Sequence, residues 1–271
     1  MLRSMYSGIS GMKGFQNKLD VIGNNIANVN TYGFKKGRVT FKDMVSQQMS
    51  GASAPGGGLG GVNPKQVGLG SQISTIDTIH TQGSLQTTAR PLDLGISGDG
   101  FFVVSDGTTN YLTRAGNFYL DKDSNLVNSD GYYVLDNNGN EITIPQDAES
   151  FSIGADGSIT VVGGSGPNPT NPIALTKVPN NEGLQKVGQN LYTVTNNSGS
   201  ADGNNVIGIG DLVTPGTDGT GTIVSGTLEM SNVDLSEEFT EMIVAQRGFQ
   251  ANTRIITTSD EILQELVNLK R

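Results

Sequence analysis

Histidine is the residue most often used for proton transfer near neutral pH and for binding zinc, and this sequence contains one, His80. No two-histidine metal site can therefore form within one chain. The sequence has no cysteine, which also removes thiolate ligands, thiolate nucleophiles and disulfides. A lone histidine is most often a surface residue or a satisfied core residue. We therefore predict no catalytic residue and no metal site.

Three other segments start like functional loops but lack the residues that the chemistry needs. Residues 121–125 begin like a calcium-binding loop, but leucine and tyrosine occupy the positions where such a loop needs glycine and glutamate. The glycines of 56–61 are not followed by Lys-Ser/Thr, so they do not form a phosphate-binding loop. Pro167 replaces the second glycine of the nucleophile elbow that Ser165 would require. We predict a hairpin turn at 121–125, no cofactor and no enzymatic activity.

The formal net charge is −9, and it is unevenly distributed. Residues 1–42 carry seven basic side chains and one acidic side chain, whereas residues 43–233 carry six and eighteen. The scattered cations and the acidic total disfavour nucleic-acid binding. No run of about 18 apolar residues occurs, so we predict no membrane span. Because Arg3 and Lys13 interrupt the first apolar residues, a cleaved signal peptide is not expected either.

The composition predicts many short strands, since there are 38 glycines, no tryptophan and only 16% charged residues. We predict a central, mostly antiparallel β domain at 71–233. Its clearest hairpin signals, read as type I′ turns, are at 130–131, 138–139 and 156–157. Residues 32–70 are predicted to be a Gly-rich linker or extended segment, with 34–50 either a strand or a short helix. Residues 163–172 and 195–222 are predicted to be surface loops or a poorly packed insertion.

The clearest single element is a helix predicted over most of 234–271. Asp234 and Glu237 fit an N-cap followed by a capping box, and no proline follows them. Apolar residues recur with a heptad-like spacing whose alternate positions are polar. The apolar positions are Phe239, Met242, Phe249, Ile256, Leu263 and Val267, and the polar ones are Gln246, Thr253 and Asp260.

A second striped segment is predicted at 1–31. Its apolar positions are Leu2, Met5, Ile9, Met12, Leu19, Ile22 and Ile26, with Gln16 and Gly23 as missing members of the seam. Gly8, Gly11, Gly14 and Gly23 each cost a helix about 0.8–1.0 kcal/mol relative to alanine, so this helix is weak in isolation. The segment is predicted to end in a turn where Gly33 adopts a left-handed conformation.

The two striped ends are predicted to pair, because a narrow apolar stripe on a long helix needs a partner. The fold class expected is α+β, with the terminal helices pairing as a discontinuous coiled-coil domain. Physics alone leaves two alternatives open: a two-helix clasp on one globular domain, or helices that order on self-assembly. A secreted carbohydrate-binding module is disfavoured because the chain lacks tryptophan for stacking on sugars.

Several motifs, in the right order, resemble the flagellar rod and hook proteins. One is Leu19 to Asn28 (LDVIGNNIAN) with Gly33-Phe34-Lys35, and another is Ser231 to Leu235 (SNVDL) with Gln246-Arg247 and the closing 263–269 stretch. Between them, residues 98–102 (GDGFF) and 113–118 (TRAGNF) match the family's central β-domain motif.

This resemblance implies a structural subunit that polymerises with identical copies into a helical tube of the bacterial flagellum. It implies terminal helices that form an inner, channel-lining domain, at 1–31 and 234–271. It also implies export by the flagellar type III apparatus without a cleaved signal peptide, to an extracellular position in the hook or basal body. The implied partners are the rod, hook cap and hook–filament junction proteins, with no cofactor, no nucleic acid and no membrane span.

Within the family, the resemblance favours the hook, a flexible joint that transmits torque, over the distal rod. Residues 232–236 and 243–247 are similar to hook subunits, in particular to the short ones of Gram-positive bacilli. Residues 81–85 and the extended stretch at 41–70 are instead similar to the distal rod subunit. Hook is therefore the first expectation, and distal rod is the alternative.

Overall fold

The computed structural model describes residues 2–55, 60–145, 147–163, 171–200 and 207–269. The chain forms two compact units. The helical unit contains residues 1–27, 37–78 and 234–271, and the β unit contains residues 28–36 and 79–233.

The described elements are two α-helices, eighteen strands and two short 3₁₀ helices. In chain order they are α1 (Leu2–Ala27), β1 (Gly37–Asp43), β2 (Gln47–Ser50), β3 (Lys65–Val67), β4 (Ser71–Thr78), β5 (Leu85–Thr87), β6 (Leu94–Ser97), β7 (Phe101–Ser105), β8 (Asn110–Thr113), β9 (Tyr119–Leu120), β10 (Leu126–Val127), β11 (Tyr133–Val134), β12 (Ser150–Ile153), β13 (Ile159–Val162), β14 (Leu175–Thr176), a 3₁₀ turn (Asn181–Gly183), β15 (Gln185–Gly188), β16 (Leu191–Thr193), a 3₁₀ turn (Ile209–Asp211), β17 (Thr222–Ser225), β18 (Thr227–Glu229) and α2 (Leu235–Leu269). This content confirms the α+β class.

The helical unit is built from α1, α2 and two antiparallel ribbons, β1–β4 and β2–β3. Helix α2 starts where the sequence predicts, because the Asp234 carboxylate accepts the backbone N–H of Ser236 at 2.8 Å and so caps the helix. The ambiguous segment at 34–50 is strand, not helix. Its strand β1 pairs with β4 from Gly37–Thr78 to Asp43–Ser71.

The β unit is centred on an eight-stranded antiparallel sheet with the order β15-β16-β8-β7-β11-β10-β9, in which β14 also pairs with β7. Strand β7 reads as a continuous apolar run because both of its faces are buried. Phe102 and Val104 pack into one core with Leu94, while Phe101 and Val103 pack into a second core. These two cores fix the strands around the family motif at 98–118.

The predicted hairpins are present, but the prediction that their turns are of type I′ is wrong. The turns that end at Gly131, Gly139 and Gly157 have positive φ at the glycine alone, with a hydrogen bond from its N–H to the carbonyl three residues earlier. That is the geometry of a type I turn followed by a left-handed glycine. A two-residue loop with positive φ at both positions joins β15 to β16, and its residues are Gln189 and Asn190, with no glycine.

The segment at 195–222 is not merely a surface loop. Ile207 and Leu212 are buried in the second core, and Val213 exchanges backbone hydrogen bonds with Leu175 of β14. The apolar residues between 206 and 213 keep neither a strand period nor a helix period throughout, so they gave no clear signal of this packing. Residues 164–170, within the loop predicted at 163–172, lie outside the described residues.

Candidate functional site

Helices α1 and α2 pack against each other in antiparallel orientation. Their contacts run from Gly8 against Ile256, through Phe15 against Gly248, to Asn25, whose amide donates to the Glu238 carboxylate at 3.2 Å. An ion pair between Lys18 and Glu241 also joins them. Residue numbers therefore increase along α1 while those of the contacting residues in α2 decrease, as antiparallel packing requires. The two terminal helices together form one helix pair.

The seam between the helices is shifted from the predicted one. Every second position of the predicted seam, such as Met12 on α1 and Phe249 on α2, keeps its place. The positions between them lie one residue earlier than predicted, for example at 8 and not 9, and at 245 and not 246. The seam positions, each buried or half-buried, are Met5, Gly8, Met12, Phe15, Leu19, Ile22 and Ile26 on α1, and Glu238, Met242, Ala245, Phe249, Asn252, Ile256, Ser259 and Leu263 on α2.

Small residues explain this shift. A Cβ atom added at Gly11 would lie 2.7 Å from the Asn252 amide nitrogen, and one added at Gly248 would lie 2.6 Å from the Phe15 ring. Glycine therefore lets the opposite side chain approach the helix backbone, and close packing outweighs the apolar character of the alternative position. A hydrophobicity pattern selects large apolar residues and so missed positions 8, 245 and 259.

The four glycines of α1 differ in their surroundings. Gly8 and Gly11 face α2, whereas Gly14 lies against the ring of Phe41 in β1. At Gly23 an added Cβ would meet no atom within 4 Å. Gly8, Gly11 and Gly14 therefore let side chains of α2 or β1 approach the backbone of α1, whereas Gly23 has no such neighbour.

The predicted assembly residues are only partly brought together. Ile22 is buried, and Met5, Met12, Leu19, Ile26, Met242, Phe249, Ile256 and Leu263 are half-buried. Ile9 is 36% exposed, Phe239 50% and Val267 66%. The side chain of Leu2 lies outside the described residues, although the residue itself starts α1.

Helix α2 also carries large apolar side chains that the single chain leaves exposed. Besides Phe239 and Val267, they are Leu235, Ile243, Val244, Ile255, Ile262, Leu266 and Leu269. Apolar surface of this extent along one helix indicates an interaction surface.

A buried charge cluster in the β unit was missed from the sequence. Glu229 accepts hydrogen bonds from Lys35 Nζ at 2.5 Å, from Arg114 Nη1 at 3.2 Å and from the Gly83 backbone N–H at 2.9 Å. The side chains of Lys35 and Glu229 are fully buried, and that of Arg114 is nearly so. Nothing in a single sequence links positions separated by more than a hundred residues, so no local signal could have found the cluster.

Electrostatics within the cluster are not balanced, because two cations share one carboxylate. Burial lowers the pKa of Lys35 most strongly, the Glu229 carboxylate works against that shift, and the Arg114 guanidinium adds to it. Arg114 also donates to the Gly98 carbonyl at 3.0 Å and lies 5.2 Å from the Phe101 ring centre.

His80 is held as a packed ring. It lies edge-on to Phe101 and Tyr192, with ring centres 5.7 and 5.4 Å away, and neither imidazole nitrogen has a hydrogen-bond partner among the described residues. Burial, together with the nearby cations Lys35 and Lys186, lowers the pKa of His80 to about 4. The ring is thus neutral near pH 7.

Within the described residues, no group of three or more His, Asp or Glu side chains is placed to hold a metal ion. Over the same part of the chain, neither helix has the length and apolar content needed to cross a membrane.

The two terminal helices pack against each other, the antiparallel β unit lies between them in the sequence, and large apolar side chains of α2 stay exposed; together these features are typical of a structural subunit. Three family models match the chain. The basal body rod protein model matches residues 5–35, the flagellar hook protein FlgE/F/G D1 domain residues 95–161, and the rod FlgEFG protein C-terminal model residues 224–269.

Full-length relatives give the same assignment. The flagellar basal-body rod protein FlgG of Bacillus subtilis is 61% identical over 272 residues, covering 100% of both chains. In Borreliella burgdorferi, the rod protein FlgG is 38% identical over 279 residues, and the flagellar hook protein FlgE is 32% identical over 450, again with 100% of each chain covered. This chain belongs to the flagellar rod and hook protein family, whose members are structural components of the flagellum.

Proposed function

We propose that this chain self-assembles with identical copies into a helical tube of the flagellar axis. The observation that carries this proposal is the exposed apolar stripe of α2. Burying apolar surface is worth about 25 cal/mol per Å², so side chains such as Leu266 and Leu269 favour contact with another chain over contact with water.

In this tube, residues 1–31 and 234–271 form the inner domain as a coiled coil, completed by neighbouring copies. Residues 32–70 form the connecting segment, and residues 71–233 form the outer β domain. The 4-3 spacing of the seam positions on both helices supports the coiled coil.

The assembly residues proposed are those selected from the sequence. They are Leu2, Met5, Ile9, Met12, Leu19, Ile22, Ile26, Phe239, Met242, Phe249, Ile256, Leu263 and Val267. Exposed members such as Phe239 and Val267 are assigned to contacts between copies, and half-buried members such as Ile256 to the seam within each copy.

Family membership further supports export by the flagellar type III apparatus, a final position outside the cytoplasmic membrane, and contacts with the adjoining rod, hook cap and hook–filament junction proteins. No enzymatic step, cofactor or nucleic acid enters this role.

The segment of the tube that this chain builds is proposed to be the distal rod. The 61% identity with a rod protein extends over the full length of both chains. Alignment with the hook proteins of Borreliella burgdorferi and Treponema pallidum runs over 450 and 472 positions, against the 271 residues of this chain. A large part of those hook proteins therefore has no counterpart here.

The hook is the second candidate. The motifs at 232–236 and 243–247 favour it, and a compact hook subunit would not need the additional residues of the longer relatives. The two roles differ mechanically, since a hook bends while it transmits torque and a rod does not.

Residues 41–70 are proposed to set the stiffness of the tube by bridging neighbouring subunits. Strands β2 and β3 form a ribbon in which every residue is exposed. Met49 in β2 and Val45, which precedes β2, are among the most exposed apolar residues described. An exposed ribbon of this kind can pair with another chain through its edges.

Electron microscopy of tubes grown from the purified chain tests the choice between rod and hook. A straight tube with a long persistence length is expected, whereas a curved tube that bends readily would favour the hook. Deletion of 51–62 should make the tube more flexible, and unchanged bending would contradict the bridging role of this segment.

The variant Ile256→Asp tests assembly itself. It places a charge in the α1–α2 seam and is expected to abolish tubes while the β unit keeps its own melting transition. Gln250→Asp adds the same charge at an exposed polar position of α2 and serves as the matched control. Normal tubes from Ile256→Asp would contradict the role of the terminal helices.

A further inference from the structure

Two short segments of the β unit adjoin the terminal helices in sequence. We call residues 28–36, which follow α1, the N-arm, and residues 229–233, which precede α2, the C-arm. Both arms belong to the β unit, so they can be described independently of the helices that they lead to.

The two arms are joined directly to each other by three contacts. The backbone N–H of Gly33 donates to the Glu229 carbonyl at 2.8 Å, and Lys35 Nζ donates to the Glu229 carboxylate. The Asn232 side chain accepts the backbone N–H of Lys36 at 2.8 Å. Glu229 therefore holds the N-arm through both its backbone and its side chain.

The arms are also anchored to the rest of the β unit. Lys35 Nζ donates to the Thr81 carbonyl at 2.8 Å, and the Asn232 amide donates to the Ile79 carbonyl at 2.9 Å. A Cβ atom added at Gly33 would lie 2.6 Å from the backbone nitrogen of Ala115. The N-arm thus packs against the motif at 113–118. If the N-arm shifted by one residue, a residue with a Cβ atom would replace Gly33 and collide with the backbone at Ala115.

The charge of Lys35 is not needed to neutralise Glu229, because Arg114 also pairs with that carboxylate. Without it, Arg114 and Glu229 would form a neutral buried pair, whereas with it the cluster holds one excess positive charge. Buried ion pairs often add no stability relative to apolar residues of similar size, and their best-attested use is to fix register. Register matters here because the next residue is also a lysine, Lys36. A shift of the N-arm by one residue would place Lys36 where Lys35 now contacts Glu229.

We propose that Lys35 and Glu229 are positioning residues for assembly, which lock the N-arm to the C-arm in one register. The lock holds together the two segments of the β unit from which the terminal helices continue along the chain. Helix pairing then closes a short loop instead of joining ends separated by some two hundred residues, which reduces the entropy cost of pairing. This role rests on the proposed function, but the lock itself can be tested without it.

Amide hydrogen exchange of the dilute monomer tests the lock. In Lys35→Met, the peptide 28–36 is expected to exchange at least tenfold faster than in the wild type, while the β7 strand (101–105) keeps its protection and the melting temperature does not fall. Lys177→Met, the same substitution at an exposed lysine of the β unit, is the control and should leave the N-arm unchanged.

Wild-type exchange of the N-arm in Lys35→Met would overturn the proposal. A uniform loss of protection, including the β7 strand, would also overturn it, since Lys35 would then be a general stability residue. Tube formation is measured separately on the same samples. Absence of tubes from the wild-type chain would refute the proposed function and leave the exchange result for the lock intact.

Discussion

Replacing Glu229 by glutamine keeps the shape of the side chain and removes its charge. In the folded chain this leaves Lys35 and Arg114 buried without a counter-ion, and it turns one of the acceptor oxygens into an NH₂ group that faces hydrogen-bond donors. Removing one partner of a buried ion pair costs about 3–5 kcal/mol, far more than the pair contributes when intact. The same range is expected here, because all three side chains are buried.

That loss should appear as a lower melting temperature of the β unit. For a unit of this size, each kcal/mol corresponds to about 2–4 °C, so a decrease of roughly 6–20 °C is expected. Thermal unfolding followed by circular dichroism on the dilute monomer at neutral pH is a sufficient assay. Glu141→Gln, at an exposed carboxylate of the same unit, should melt as the wild type does. A Glu229→Gln variant that melts within about 2 °C of the wild type would refute the reasoning about the cluster.

Three further predictions address single residues. An NMR titration of His80 should give a pKa of about 4; because burial favours the neutral ring in the folded state, stability should fall as the pH drops from 6.5 towards 4, and a pKa near 6.5 would contradict the packing described. Gly116→Ala places a Cβ against the Leu94 carbonyl and should cost about 2–4 kcal/mol of unfolding free energy, whereas Gly68→Ala, in open space, should change it by less than about 0.5 kcal/mol. Because burial lowers the pKa of Lys35, stability relative to Lys35→Met should rise as the pH increases towards 10.5, and a pH-independent difference in denaturant unfolding would show that this lysine is not desolvated.

The elements with a strong local signal were predictable. Helix α2 has a cap at Asp234, no proline and a regular heptad spacing, and the structure begins and extends it as expected. The glycine signals at 130–131, 138–139 and 156–157 likewise located hairpin turns of the β unit. These features depend on residues close together in the sequence.

The features that depend on distant residues were not predictable in the same way. The seam moved by one position because Gly11 and Gly248 admit side chains of the opposite helix, which a hydrophobicity pattern cannot register. Gln189 and Asn190 both adopt positive φ, which asparagine favours and glutamine does not, so the residue types gave no clear turn signal. The Lys35–Glu229 pair joins opposite ends of the chain and has no local sequence signature.

We propose above that the terminal helices α1 and α2 drive assembly of the tube. The most direct test is to measure the helical content of the chain as its concentration is raised. The glycines of α1 weaken that helix, and much of the apolar stripe on α2 stays exposed in one copy. We expect a dilute monomer to give mostly β signal with protease-sensitive ends, and helical signal and protection of residues 1–31 and 234–271 to appear together with tubes. Full helical content and protease-resistant ends in a monomer that forms no tubes would contradict it and would favour a simple two-helix clasp.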